Sequence, residues 1–215
     1  MPYDANGTLE EQLAASVASS LANLATLSPG GSDTPYLDSL LLHAPLPTTT
    51  QTLQALGFLA DNYVPHRIRH LGISNVPLGL LKELCADAGP RTRPRIVQNP
   101  FRASGDFEGA TRRFCLDEGI AFQGFSVLLG AGALLRSRFV VDVALDPAVA
   151  VGFEAAYYAL FLGLGGTAVL NGTQTEDHMR KDLEGVAKVG AWAEGDGSVV
   201  WERSLGLFKG ATGHL

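Results

Sequence analysis

RHLGISNVPLGLLKELCADAGPRTRPRIVQN, residues 69–99, is the stretch whose reading decides the fold. Residues 69–74 read as a strand, and residues 77–88 as a helix that Gly89 and Pro90 stop. Residues 95–98 read as a second strand. Two strands joined through a helix by short loops pair in parallel, because only a crossover lets the second strand run the same way as the first. The alternation continues in both directions. Upstream, residues 36–43 form a strand-like run ending at Ala44-Pro45, and residues 49–62 a helix. Before them, Leu9, Leu13, Val17, Leu21 and Leu24 recur at steps of three and four, one face of a helix, with Thr8 and Glu11 as a capping box. Downstream come a helix at 107–118 ended by Gly119, and a strand at 120–125. After a longer connection with helices at about 137–145 and 152–162 come a strand at 167–170 and a helix at 175–189. In that last helix Met179, Leu183 and Val186 are expected to face inward. The tail, residues 191–215, has no clear period. Five strands alternating with helices make an α/β protein. An open doubly wound sheet and five-eighths of a barrel both satisfy the pattern, and periodicity does not choose between them.

The 215 residues suffice for a single domain with a sizeable core, and 46% hydrophobic with 18% charged residues is ordinary for a globular protein. A formal net charge of -6 disfavours nucleic acid and anionic membranes as partners. The densest basic run, Arg91, Arg93 and Arg95, alternates with Thr92 and Pro94 and reads as solvated surface. Two cysteines, Cys85 and Cys115, are too few for a disulfide framework and read as buried thiols of a reducing, cytoplasmic compartment. The polar start, MPYDANGTLEEQ, has no basic or apolar signal region, so the sequons at Asn6 and Asn171 carry little meaning. The longest apolar stretch, residues 155–164, is too short to span a bilayer.

Ligands of parallel α/β sheets sit at the carboxyl ends of the strands. Those ends carry His43, Ser74-Asn75, Gln98-Asn99, Phe125-Ser126 and Asn171-Gly172-Thr173, polar or aromatic groups placed where each apolar run stops. Such a lining suits a polar, partly aromatic ligand, a dinucleotide among them. Ser74-Asn75 also reads as a helix cap, and Gln98-Asn99 before Pro100 as turn chemistry. Gly163, Gly165 and Gly166 do not form a phosphate loop, because they precede a strand instead of following one. Tyr3 and Asp4 lie in the terminal segment outside any strand and are set aside as catalytic groups.

The segments YLDSLLLHAP, HLGISN, IVQNP and FCLDEGIAFQGFSVL, followed by VLNGT and a helix, resemble in order and spacing the successive strand ends of the aldo-keto reductase family. The resemblance runs over residues 9–189 and implies strands four to eight of a (β/α)8 barrel, read as one N-terminally truncated domain. It implies NADPH as cofactor, with NADH as the other candidate, a small-molecule aldehyde or ketone as substrate, and no metal. His43 matches the histidine that orients and polarises the substrate carbonyl. Ser74, Asn75 and Gln98 match the set that hydrogen-bonds the nicotinamide carboxamide, and Phe125 stands where a tyrosine usually stacks on the nicotinamide. Ser126 and Leu128 fall where the pyrophosphate lies, and Thr173 in the loop of the adenosine 2'-phosphate. Gly172 stands where many members have lysine and His178 where they have arginine, with Arg180 and Lys181 nearby. The family's proton-donating tyrosine, its lysine and its aspartate come before the helix that here follows Thr8. The four lysines, Lys82, Lys181, Lys188 and Lys209, lie in expected helices or the tail. The expectation is therefore an aldo-keto reductase by resemblance, or alternatively a nucleotide-binding or assembly protein with impaired catalysis. A five-strand piece would leave two open sheet edges through which copies could associate.

Overall fold

The computed structural model describes residues 7–25 and 35–213. Tyr3 and Asp4 lie outside the described residues. The five strands follow one another in a single sheet in the order β1-β2-β3-β4-β5. Each strand has its sequence neighbours beside it. A doubly wound sheet reverses its order at a switch point, so this order favours the barrel type of winding left open by the sequence. The chain divides into two compact units between Val97 and Gln98.

In the first unit, α1 (Leu9–Leu24) starts at a complete capping box. The Thr8 amide donates to Glu11 Oε2 at 2.8 Å, and the Glu11 amide to Thr8 Oγ1 at 3.2 Å. Its buried residues, Val17 and Leu21, pack with Leu37, Leu56, Leu59, Ile68 and Leu71. Strand β1 (Leu37–Leu42) pairs in parallel with β2 (Ile68–Ser74), in register from Leu37 opposite Ile68 to Leu42 opposite Ile73. The crossover between them, α2 (Thr49–Tyr63), is capped by Thr48, whose side chain accepts from the Gln51 amide. After β2 comes α3 (Leu78–Asp87), which buries Leu81 and Leu84. Within β2, a Cβ on Gly72 would stand 2.6 Å from the Ile96 carbonyl oxygen and 2.9 Å from Leu41 Cγ, so only glycine lets the backbone pass there. Arg91 reaches Asp61 at 2.8 Å with both side chains exposed, the solvated surface expected of that basic run.

Strand β3 (Ile96–Pro100) contributes its last three residues to the second unit, which continues with α4 (Gly109–Asp117) and β4 (Ala121–Phe125). Then come α5 (Val127–Ala131), α6 (Arg138–Ala144), α7 (Phe153–Leu162), β5 (Thr167–Val169), α8 (Glu176–Ala193) and α9 (Ser198–Ala211). Strands β4 and β5 are parallel, with Phe122 opposite Thr167. The core is aromatic. Phe101 packs on Phe161 with ring centroids 4.7 Å apart, and Tyr157 and Phe139 both meet the Phe208 ring edge-on. Cys115 is buried and Cys85 half-buried, neither of them in a disulfide. Among the described residues no helix is long and apolar enough to cross a membrane.

Three local expectations need correction. The aperiodic tail contains a full helix, α9, and α8 runs on to Ala193. Trp201, Ser204, Leu205 and Phe208 make the buried or half-buried face of α9, while Val199 and Leu207 face solvent, and these exposed apolar residues blur the period in the sequence. In α8, Met179 and Leu183 are exposed, and the buried positions are Gly185, Val189 and Trp192. Gly185 sets that rotation, because a Cβ there would lie 2.5 Å from Ala155 Cβ of α7; the helices meet through the missing side chain. Lastly, the helix expected from 107 begins at Gly109, since Asp106, Phe107 and Glu108 hold φ of 49, 50 and 56°.

Candidate cofactor cleft

Two strand ends of this chain share a backbone feature. Asn75, directly after β2, and Ser126, directly after β4, both have φ of 54°. Left-handed backbone turns the chain sharply from strand into helix. Asparagine tolerates it, whereas serine pays a conformational cost.

In the first unit, the Asn75 amide Nδ2 donates to the His43 carbonyl at 2.9 Å and lies 3.2 Å from Ser74 Oγ. It thereby ties the end of β2 to the end of β1. Ser74 is buried, while His43 and Asn75 are exposed. The three expected residues of this unit are thus gathered at neighbouring strand ends.

In the second unit, Phe125, Ser126, Leu128 and Thr173 line one cleft of about 500 Å³, together with Tyr158, Asn171, Gly172 and Asp182. Strand β4 delivers Phe125, and the left-handed turn at Ser126 opens α5. The loop after β5 delivers residues 170–173. That loop is braced from within: the Thr173 amide donates to Asn171 Oδ1 at 2.7 Å, and Asn171 Nδ2 donates to Asp182 Oδ2 at 2.8 Å. Gln98 is not among the lining residues; its amide donates to Gln123 Oε1 on the adjacent strand β4. Tyr158 and Asp182 escape sequence reasoning. Tyr158 sits inside the apolar run of α7, and Asp182 among the mixed charges of α8, so neither stands at a strand end. The Tyr158 phenol is pushed up to about 12, first by burial and then by the carboxylates of Asp182 and Glu154, and stays a neutral hydroxyl at physiological pH.

The sequence profile of the aldo/keto reductase family matches residues 9–142, more than half of the chain. The chain belongs to the aldo/keto reductase family. Solved structures of the family share its fold. The aldose reductase of Giardia lamblia superposes with a TM-score of 0.60 at 16% identity, over 90% of this chain and 73% of its own. An aldo/keto reductase of Brucella melitensis gives 0.65 at 19%, over 92% and 68%. An aldo-keto reductase of Klebsiella pneumoniae in complex with NADPH gives 0.57 at 18%, over 71% and 54%. No curated protein is significantly similar in sequence.

For this family member, the cleft's chemistry fits most of a nicotinamide dinucleotide. Phe125 offers a ring face, Ser126, Thr173 and Tyr158 offer hydroxyls, and Asn171 an amide. A phosphate monoester fits poorly, because among the described residues of the lining Asp182 is the only formally charged one.

Proposed function

We propose that this chain holds the nicotinamide cofactor of an oxidoreductase that reduces a small aldehyde or ketone to the alcohol. The observation that carries this reading is the single cleft into which β4, α5 and the loop after β5 bring Phe125, Ser126, Leu128 and Thr173. The bound cofactor would supply a hydride to the carbonyl carbon.

The chain's own residues bind, orient and shield. Phe125 would stack on the nicotinamide and exclude water from one face. Ser126 and Leu128, at the opening of α5, would lie along the pyrophosphate, and Thr173 beside the adenosine ribose. In the first unit, Ser74 and Asn75 would offer a hydroxyl and a side-chain amide to a carboxamide. Asn75 reaches that role only by sharing the amide that now holds the His43 carbonyl. His43 would donate a hydrogen bond to the substrate oxygen, polarising the carbonyl as negative charge develops there.

A second reading, cofactor binding without turnover, is favoured by the placement of the four lysines: Lys82 on α3, Lys181 and Lys188 on α8, Lys209 on α9. None of them stands at a strand end, where an ammonium could assist a proton donor.

The test pairs two measurements on the purified chain: quenching of protein fluorescence by reduced cofactor, and loss of nicotinamide absorbance on adding aldehydes. The first reading predicts saturable binding and cofactor oxidation matched by alcohol, with turnover falling on the order of a hundredfold in His43→Ala. Binding without oxidation selects the second reading. A folded sample that binds no nicotinamide nucleotide overturns both.

A further inference from the structure

We propose that the cleft takes NADH in preference to NADPH, with Asp182 as the discriminating side chain. The inference rests on the cofactor reading above and concerns one end of that ligand. The two cofactors differ by a phosphate monoester on the adenosine ribose, which carries roughly -1.5 to -2 charges at neutral pH. A site that favours this group offsets its charge with a nearby cation.

The described residues that line the cleft include no cation. Asp182, half-buried, is the only formal charge among the described residues of the lining, and its sign is negative. The basic residues nearest to it in sequence are committed one turn back along α8. Arg180 binds Glu176 at 2.6 Å, and Lys181 binds Asp177 at 2.7 Å. The Lys181 hydrogen bond holds the Asp177 carboxyl below its usual range, so that pair is formed with both partners charged. The start of α8 carries acidic residues of its own. Thr175 Oγ1 accepts from the His178 amide, and Glu176 and Asp177 in the first turn already offset the positive end of the helix dipole. Gly172 is backed by open space, with nothing within 4 Å of a Cβ built there. A phosphate monoester in this loop would therefore meet the Asp182 carboxylate without a compensating charge. In a partly dehydrated cleft one such like-charge pair weakens binding on the order of tenfold. A free ribose hydroxyl carries no such penalty, since carboxylate, amide and hydroxyl oxygens can all accept its proton.

The experiment measures dissociation constants of NADH and NADPH by fluorescence titration, with 5'-AMP and 2',5'-ADP as competitors. The wild-type chain, Asp182→Asn and Gly172→Lys are compared. The wild type is expected to bind NADH on the order of tenfold more tightly, and 5'-AMP to displace it where 2',5'-ADP does not. Asp182→Asn should narrow the gap by tightening NADPH, and Gly172→Lys, filling open space with a cation, should close or invert it. Equal or tighter NADPH binding by the wild type overturns the preference and leaves the cofactor reading standing. An unchanged NADPH to NADH ratio in Asp182→Asn removes Asp182 as the discriminator. Binding of neither cofactor overturns the cofactor reading and this inference with it.

Discussion

Ser126 carries the clearest sign that a local backbone choice serves something other than stability. A serine at φ 54° holds a conformation that glycine adopts freely, at a cost of about 1 kcal/mol. Ser126 also lines the cleft, directly after Phe125. Residues held in sparsely populated backbone regions cluster at ligand sites. Ser126→Gly is therefore expected to stabilise the chain by about 0.5–1 kcal/mol in denaturant unfolding, while weakening reduced-cofactor binding severalfold through loss of the hydroxyl. A variant that is less stable, or that binds unchanged, would show that the serine is there for a structural reason. Asn75 has the same φ after β2 but is repaid by its bond to the His43 carbonyl, so no such gain is expected there.

At the scale of elements, α9 is held by a contact that no sequence pattern announces. Arg112 of α4 is buried, its Nε donating to the Phe107 carbonyl at 2.8 Å and its NH2 group to the Thr212 carbonyl beyond α9. Burial lowers its pKa to about 10, against the opposing pull of Asp106 and Glu108, so the guanidinium stays charged at neutral pH. The same residue steadies the left-handed turn at 106–108, and Gly109 lets the backbone of Gly213 approach α4. Arg112→Met would leave two carbonyls unpaired and is expected to cost about 2–4 kcal/mol, read as a lower denaturant midpoint with unchanged slope. A shift below about 0.5 kcal/mol, the size of an ordinary surface change, would mean that the clamp is dispensable. The strands and their crossover helices are legible in the sequence because period and stop signals agree: Gly89-Pro90 ends α3 near where the backbone ends it, and Thr8 with Glu11 starts α1. The turn at 106–108 is not legible, since Asp-Phe-Glu continues a helix as readily as it precedes one. Nor is the inward face of α8, which depends on Gly185 meeting Ala155 of another helix. The same limit applies to the cleft. Residues at strand ends, Phe125, Ser126 and Thr173, can be read from where apolar runs stop. Tyr158 and Asp182 enter it from helices and become visible only once α7 and α8 are packed.

Over the whole molecule, strand order carries what residues and elements cannot. Five strands are laid down in sequence order, and in the second unit the ends of β4 and β5 bring Phe125, Ser126 and Thr173 to one cleft. This arrangement, more than any single motif, makes the cofactor reading coherent. At 16–19% identity the solved relatives share the fold, and the claim that this chain binds a nicotinamide cofactor stands on its own residues. A ligand that binds the folded state protects the amides it touches and those it helps to order. The most direct measurement is amide hydrogen exchange by mass spectrometry with and without saturating NADH. The account predicts slowed exchange concentrated at residues 125–129 and 170–173, the two segments that line the cleft. Protection that appears elsewhere and spares these segments, or no protection at any concentration, would contradict it.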